Sequence, residues 1–243
     1  MRSAAAIFST LLVAIAAAPG AAARGQAPPA PTPAPAVTAA ARWQPGAAFL
    51  QQAHAACDAE HPTDYGACFV DQMRGAGAPD AATAFAARLN SRPDGLAMPG
   101  ILHDFTEAGA VDIAFVWFPL RANENQACLL VNGTPDLVDV DDPTLLAASG
   151  LKRIATYVAL ARRHPAISLW PGARTGTRAV QVRVRRGGGQ RFILPYVLRN
   201  GCHACATLGS ARIAFDFDKT GTFIGTRVID VRGAGRPRRR ARR

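Results

Sequence analysis

Cys202-His203-Ala204-Cys205 is the stretch of this sequence best suited to chemistry. Three chemistries use two cysteines at that spacing. A thiol–disulfide centre uses them as a redox pair, with the internal histidine lowering a thiol pKa. A metal site draws on two thiolates and an imidazole. A tight turn uses them as a staple, because turn ends lie under ~7 Å apart and a disulfide needs ~4.4–6.8 Å between Cα atoms. The staple presents His203 as a rigid, exposed knuckle. Thioredoxin-like centres set the first cysteine at a helix N-terminus, whereas here the chain runs on through Ala206-Thr207-Leu208-Gly209-Ser210 into a strand. No second C-x-x-C and no H-x-x-x-H accompany the pair, so no metal is expected. A disulfide at a hairpin tip is the leading expectation, and redox chemistry stays open beside it.

Asp216-Phe217-Asp218-Lys219-Thr220-Gly221-Thr222 is the second candidate. It is similar to the phosphoaspartate motif of haloacid-dehalogenase-type phosphatases, and Asp218 to Thr222 matches the DKTGT of cation-pumping ATPases. Only a short strand and an arginine-rich end follow Thr222, too little for the parallel α/β domain those motifs need. A calcium-loop reading fails at its twelfth position, which is Arg227 rather than glutamate. The expectation is a Lys-Thr-Gly hairpin turn with solvent-facing aspartates.

Two further polar knots stand out. Arg121, Asn123, Glu124 and Asn125 form a polar connection that is a candidate binding surface or a satisfied turn. Asp139, Asp141 and Asp142 cluster where a helix starts, which suits capping. His54 and His61 have no ligand partner at helical spacing and read as surface or cap residues. The sequence implies no catalytic residue, no metal and no cofactor.

The segment around the first candidate resembles the hallmark region of the Ivy family, periplasmic inhibitors of c-type lysozyme. In that family a strand leads into a disulfide-closed loop containing histidine, followed by Arg-Ile-Ala and a further strand. Here Cys202-His203-Ala204-Cys205 precedes Arg212-Ile213-Ala214. The resemblance implies a protein that is not an enzyme, with His203 entering the cleft of an envelope hydrolase and blocking its carboxylates.

The elements that must position these residues follow from pattern. Residues 1–23 read as a secretory signal: Arg2, an apolar centre from Ile7 to Ala18, and Ala21-Ala22-Ala23. That centre is shorter than a membrane span of ~20 residues, and no other run is long enough. Residues 24–42 alternate proline and alanine and read as an extended linker. A single α+β domain is expected over 43–232, and a disordered arginine-rich tail over 233–243. Export to the periplasm or beyond puts the five cysteines in an oxidising compartment. Cys57–Cys68 and Cys202–Cys205 are the expected disulfides, leaving Cys128 free and buried in an apolar run.

Within the domain, Phe49, Ala53 and Cys57 mark a first helix, Cys68, Phe69 and Met73 a second, and Phe85 and Leu89 a third after Pro79. Residues 92–108 read as a loop. Val111–Phe118, Ala127–Val131 and Leu137–Val140 read as a three-stranded meander. Asp142-Pro143 opens one long central helix ending near His164, and Leu169–Gly172 reads as a turn. Val180, Val182 and Val184 alternate with Gln181, Arg183 and Arg185, a strand with one face in the core. Strands on either side of the Cys-His-Ala-Cys turn and a last one to Val231 complete a predominantly antiparallel sheet, with the helices on one side.

The formal net charge of +11 over 243 residues is concentrated in the tail, which suits an anionic envelope surface. Nucleic acid is disfavoured, since no aromatic residues interleave the arginines. The sequence thus points to an exported binding or inhibitor-like protein. An envelope thiol oxidoreductase and a structural envelope-associated module are the alternatives.

Overall fold

The computed structural model describes residues 34–60, 64–92, 98–121, 125–172 and 179–234. The signal segment, most of the linker, His61, Asn123, Glu124 and the tail beyond Ala234 lie outside them. The described residues form an α+β fold with two antiparallel sheets.

Packing begins earlier in the chain than expected. Val37 and Ala41 are buried against Phe85 and Leu89. The Asn132 amide takes both backbone groups of Val37, accepting from its N–H at 2.7 Å and donating to its carbonyl at 2.8 Å. Residues 34–42 therefore belong to the folded unit, which their alanine and proline content conceals.

Three helices follow: α1 (Phe49–Glu60), α2 (Tyr65–Gly75) and α3 (Asp80–Asn90). Asp64 caps α2 by accepting from the Ala67 N–H at 3.1 Å, and Pro79 stands at the N-cap of α3. The Cys57–Cys68 disulfide joins α1 to α2 across a Cα separation of 5.6 Å. Both sulfurs sit in an apolar cluster with Phe49, Phe69 and Met73.

The first sheet runs β1 (Ile101–Thr106), β2 (Asp112–Trp117), β3 (Gln126–Val131) and β4 (Leu137–Asp139), each antiparallel to its neighbour. The meander is as expected, but β1 occupies part of the expected loop. A bulge between Leu102 and Asp104 explains why. It sets Leu102 and Phe105, three residues apart, into the same core, so the period-two signal of a strand disappears.

The expected long central helix is broken. Gly150 takes a left-handed φ of +81°, and the segment divides into α4 (Pro143–Ala148), a 3-10 turn at Leu151–Arg153 and α5 (Ala155–Arg163). Asp142 caps α4 through the Thr144 N–H at 2.6 Å. Both pieces pack beside β9 and close an edge of the core between the sheets, away from the α3 layer.

The second sheet has β5 (Ile167–Pro171), β7 (Gln190–Asn200), β8 (Thr207–Phe217) and β9 (Phe223–Gly233) in that order, and β6 (Gln181–Val184) also pairs with β7. β5 replaces the turn expected at 169–172. Its proline ends an edge strand, a position where a missing N–H breaks no ladder. β6 is a strand as expected, yet Val182 and Val184 are exposed rather than buried, because a four-residue edge strand has no layer over it.

The sheets stack face to face. Ile113, Phe115, Leu130 and Val138 of the first meet Phe192, Leu194, Tyr196, Ile213 and Phe215 of the second. The other face of the first sheet packs on α3. The outer face of the second sheet carries polar residues of β7, β8 and β9, among them Arg191, Arg212, Asp216 and Asp230, with Ile193 and Ala214 buried between them. Among the described residues no helix is long and apolar enough to cross a membrane.

Candidate functional site

β7 and β8 form a hairpin of two 11-residue strands, and the Cys-His-Ala-Cys turn closes its end. Gly201 supplies the positive φ, +93°, that turns the chain out of β7. Cys202 and Cys205 are bonded, with Cα atoms 5.0 Å apart. The Cys205 N–H donates to the Cys202 carbonyl at 3.0 Å, and Arg199 donates from Nη1 to the Cys205 carbonyl at 3.0 Å.

His203 does not stand clear of the tip. It is half-buried and meets the Trp170 indole edge to face, with ring centroids 5.4 Å apart. Trp170 comes from β5, which lies beside β7. Its Nε1 donates to Ser168 Oγ at 2.7 Å and to the Gly201 carbonyl at 3.2 Å. Ser168 Oγ donates to that same carbonyl. The tip is thus tied to its neighbouring strand by an aromatic contact and a hydrogen-bonded fork. The surface it offers is a composite of indole, imidazole and the exposed side of the disulfide. The sequence put His203 in the hairpin tip but expected it exposed, and it missed Trp170, because β5 read as a turn.

The other expected binding residues lie on the other sheet, at the β2–β3 connection. The Arg121 guanidinium sits 3.9 Å from the Phe118 ring centroid, a cation–π contact. The Asn125 carbonyl accepts from the Phe118 N–H at 2.6 Å. Asn123 is outside the described residues. Of the described residues there, Asn125 is bonded to the Phe118 backbone and Arg121 lies over the Phe118 ring.

Asp218, Asp216 and Asp139 are occupied in structural roles. Asp218 Oδ1 accepts from the Thr220 N–H at 2.8 Å, the Thr220 hydroxyl at 2.7 Å and the Thr222 N–H at 2.9 Å. The Thr220 hydroxyl, with the Thr222 N–H, holds this carboxyl below the usual range. A carboxylate closing its own turn is not presented as a nucleophile. Asp216 is held by Arg191 through two bonds, at 2.6 and 2.8 Å. Asp139 accepts from the Asp141 N–H at 2.9 Å, as a turn residue does. His54 shares a hydrogen bond with the Tyr65 hydroxyl. No group of histidines, cysteines or carboxylates among the described residues is arranged to hold a metal ion.

Cys128 is free and buried, as expected. Burial, reinforced by the carboxylates of Asp141 and Asp139, pushes its thiol far above the usual range. It packs as an apolar residue and is not a nucleophile.

Sequence reasoning gave no sign of one cavity. It has a volume of about 380 Å³ and lies between residues 43–50 and the first sheet, lined by Trp43, Leu50, Phe115 and Trp117 with His103 and Gln126 at its polar side. The loop expected over 92–108 hid one of its walls, β1, which contributes His103.

Set against known proteins, the chain matches no family model, no curated protein and no solved structure.

Proposed function

We propose that this is an exported binding protein that docks a partner on the disulfide-closed tip of the β7–β8 hairpin. The carrying observation is the fixed geometry of that tip: Trp170, His203 and the Cys202–Cys205 bond held together by the Ser168–Gly201–Trp170 fork. A contact surface that is ordered before binding avoids the cost of about 0.5–1.5 kcal/mol for each side chain otherwise immobilised on association. Tryptophan beside a polar ring is also the residue class that dominates binding energy at protein interfaces. The signal-like start and the two cysteine pairs support export to an oxidising compartment.

The most specific form of this proposal is inhibition of an envelope hydrolase such as a c-type lysozyme, which the Ivy-like order of Cys202, His203, Cys205 and Arg212-Ile213-Ala214 supports. The test is inhibition of a panel of lysozymes by the purified protein, by His203→Ala and by Trp170→Ala. Each variant is expected to weaken inhibition by about 30-fold or more, the effect of losing a binding hot spot of ~2 kcal/mol. Full enzyme activity at micromolar excess of the unaltered protein removes the inhibitor, and equal inhibition by both variants removes the tip.

A second role is favoured by one observation: the disulfide lies in an exposed turn, with Cys202 an exposed residue, where an attacking thiolate can approach. On that basis the pair acts as an envelope thiol–disulfide centre. No helix begins at Cys202 to stabilise a thiolate, which ranks this role second. An insulin-reduction assay with no turnover above a Cys202→Ser control rejects it.

A further inference from the structure

The end of the second sheet opposite the Cys-His-Ala-Cys tip has a different character. There the β6–β7 and β8–β9 turns lie side by side: a Cβ placed on Gly188 would sit 3.6 Å from the Lys219 Cβ. Next to them is a cleft of about 430 Å³ lined by Arg183, Val184, Arg185, Arg186, Arg191 and Arg227. Five of its six lining residues are arginines.

Among the described residues a single carboxylate, Asp216, pairs with the arginines of this cluster. Asp216, nearly buried, takes Arg191 through two hydrogen bonds, with Arg227 Nε 3.6 Å and Arg185 Nε 4.0 Å away. Register explains the convergence: Arg183 pairs with Arg191 across β6–β7, Arg191 with Asp216 across β7–β8, and Arg227 stands two residues along β9 from Gly225, the partner of Asp216. The next carboxylate along this face, Asp230, is engaged by Arg212 and Arg232. Five guanidiniums against one carboxylate leave a strong positive excess, and Arg183, Arg186 and Arg227 are exposed. A surface of fixed guanidiniums with several free N–H forks matches the tetrahedral oxyanion of a phosphate group.

A second observation indicates what carries the phosphate. The exposed large apolar side chains among the described residues are Val182, Val184 and Ile224. Val184 lines the cleft at the end of β6, on the strand face opposite Arg183, and Ile224 follows the β8–β9 turn at the same end of the sheet. Exposed aliphatic groups collected around an arginine cluster are poorly suited to a soluble polyanion. They suit an interface where phosphates lie above acyl chains.

We infer that this end of the second sheet docks on an anionic lipid surface, the arginines holding headgroup phosphates and Val184 and Ile224 entering the headgroup boundary. The site is independent of the hairpin tip.

The test uses the exported chain with its C-terminal arginines in place, and vesicles of zwitterionic lipid with or without phosphatidylglycerol. Arg183→Gln/Arg186→Gln removes two exposed guanidiniums that are not among the arginines paired with Asp216, so the fold should keep its denaturation midpoint. Co-sedimentation with the anionic vesicles is expected to weaken by about 10- to 30-fold in this variant, from the contribution of each basic residue near a charged surface. Val184→Asn/Ile224→Asn is expected to weaken vesicle binding severalfold and to leave binding of soluble polyphosphate unchanged. Unchanged vesicle binding by the arginine variant assigns the attraction to the tail and overturns the inference. Unchanged vesicle binding by the apolar variant, with polyphosphate displacing the protein, assigns the cleft to a soluble phosphate ligand and overturns it equally.

Discussion

Gln190 offers a sharp test of how the two sheets are held in register. Its side chain is buried at the start of β7 and reaches across to the chain just before β2. Oε1 accepts from the Val111 N–H at 2.8 Å, while Nε2 donates to the Val111 carbonyl at 3.0 Å and to the Ala108 carbonyl at 2.8 Å. One amide therefore satisfies both backbone groups of a fully buried residue. Gln190→Leu keeps the volume but leaves those two groups without a partner. At ~1–3 kcal/mol for each buried group left unsatisfied, the loss should be about 2–6 kcal/mol. For a domain of this size, that lowers the melting temperature by roughly 4–24 °C, read by circular dichroism at fixed pH. Gln190→Glu adds a sign. The carboxylate can still accept from Val111 N–H but cannot donate to either carbonyl, so the folded state favours the protonated acid and the folded pKa lies above the ordinary ~4.3. Below that pH both states are protonated and stability stays close to that of the unaltered protein. As pH rises past it, the unfolded chain ionises first and stability falls. A leucine variant melting within about 2 °C of the unaltered protein, or a glutamate variant whose stability is flat from pH 4 to 8, refutes this account.

Two further outcomes follow from groups described above. The Cys128 thiol should not react with an aromatic disulfide reagent in the native state and should give a single equivalent in denaturant without reductant; fast native reaction contradicts its burial and the assigned disulfides. Asp230 is held below the usual carboxylate range, first by its hydrogen bond from Arg212 and then by the charges of Arg212 and Arg232. Its contribution is present above the unfolded pKa of ~3.9 and is lost as pH falls through the lower folded value. Arg212→Gln should flatten the acid limb of a stability–pH curve, and an unchanged limb shows that the pair contributes nothing.

The parts of the fold legible in sequence are those where local pattern and tertiary role coincide. Pro79 before a helical stripe, Asp142 before Pro143, and the spacing of Cys57 and Cys68 each carry their structure locally. What escaped detection has an equally specific cause. β1 lost its alternation to the bulge at Leu102 and Asp104. β5 ends in Trp170-Pro171, residues that read as a stop although an edge strand tolerates them. Val182 and Val184 alternate as core residues do, but only tertiary position shows that β6 has nothing above it. At the candidate site, the Cys-His-Ala-Cys motif was visible because its chemistry lies in four consecutive residues. Trp170 and Ser168 were not, because they reach the tip from a strand far away in the chain. The arginine cleft was half legible: Arg183, Arg185, Arg186 and Arg191 fall within nine residues, but only register brings Arg227 of β9 and Asp216 of β8 to them.

The length of the β7–β8 ribbon has a mechanical consequence. Arg191 and Cys202 sit near its two ends, and at ~3.3 Å per residue the ribbon separates them by about 35 Å. It acts as a spacer with unlike terminals. A protein resting on a bilayer by its arginine end would carry the indole and imidazole clear of the headgroups, at a standoff where a soluble macromolecule can approach. Neither contact obstructs the other, so attachment and capture can be altered one at a time.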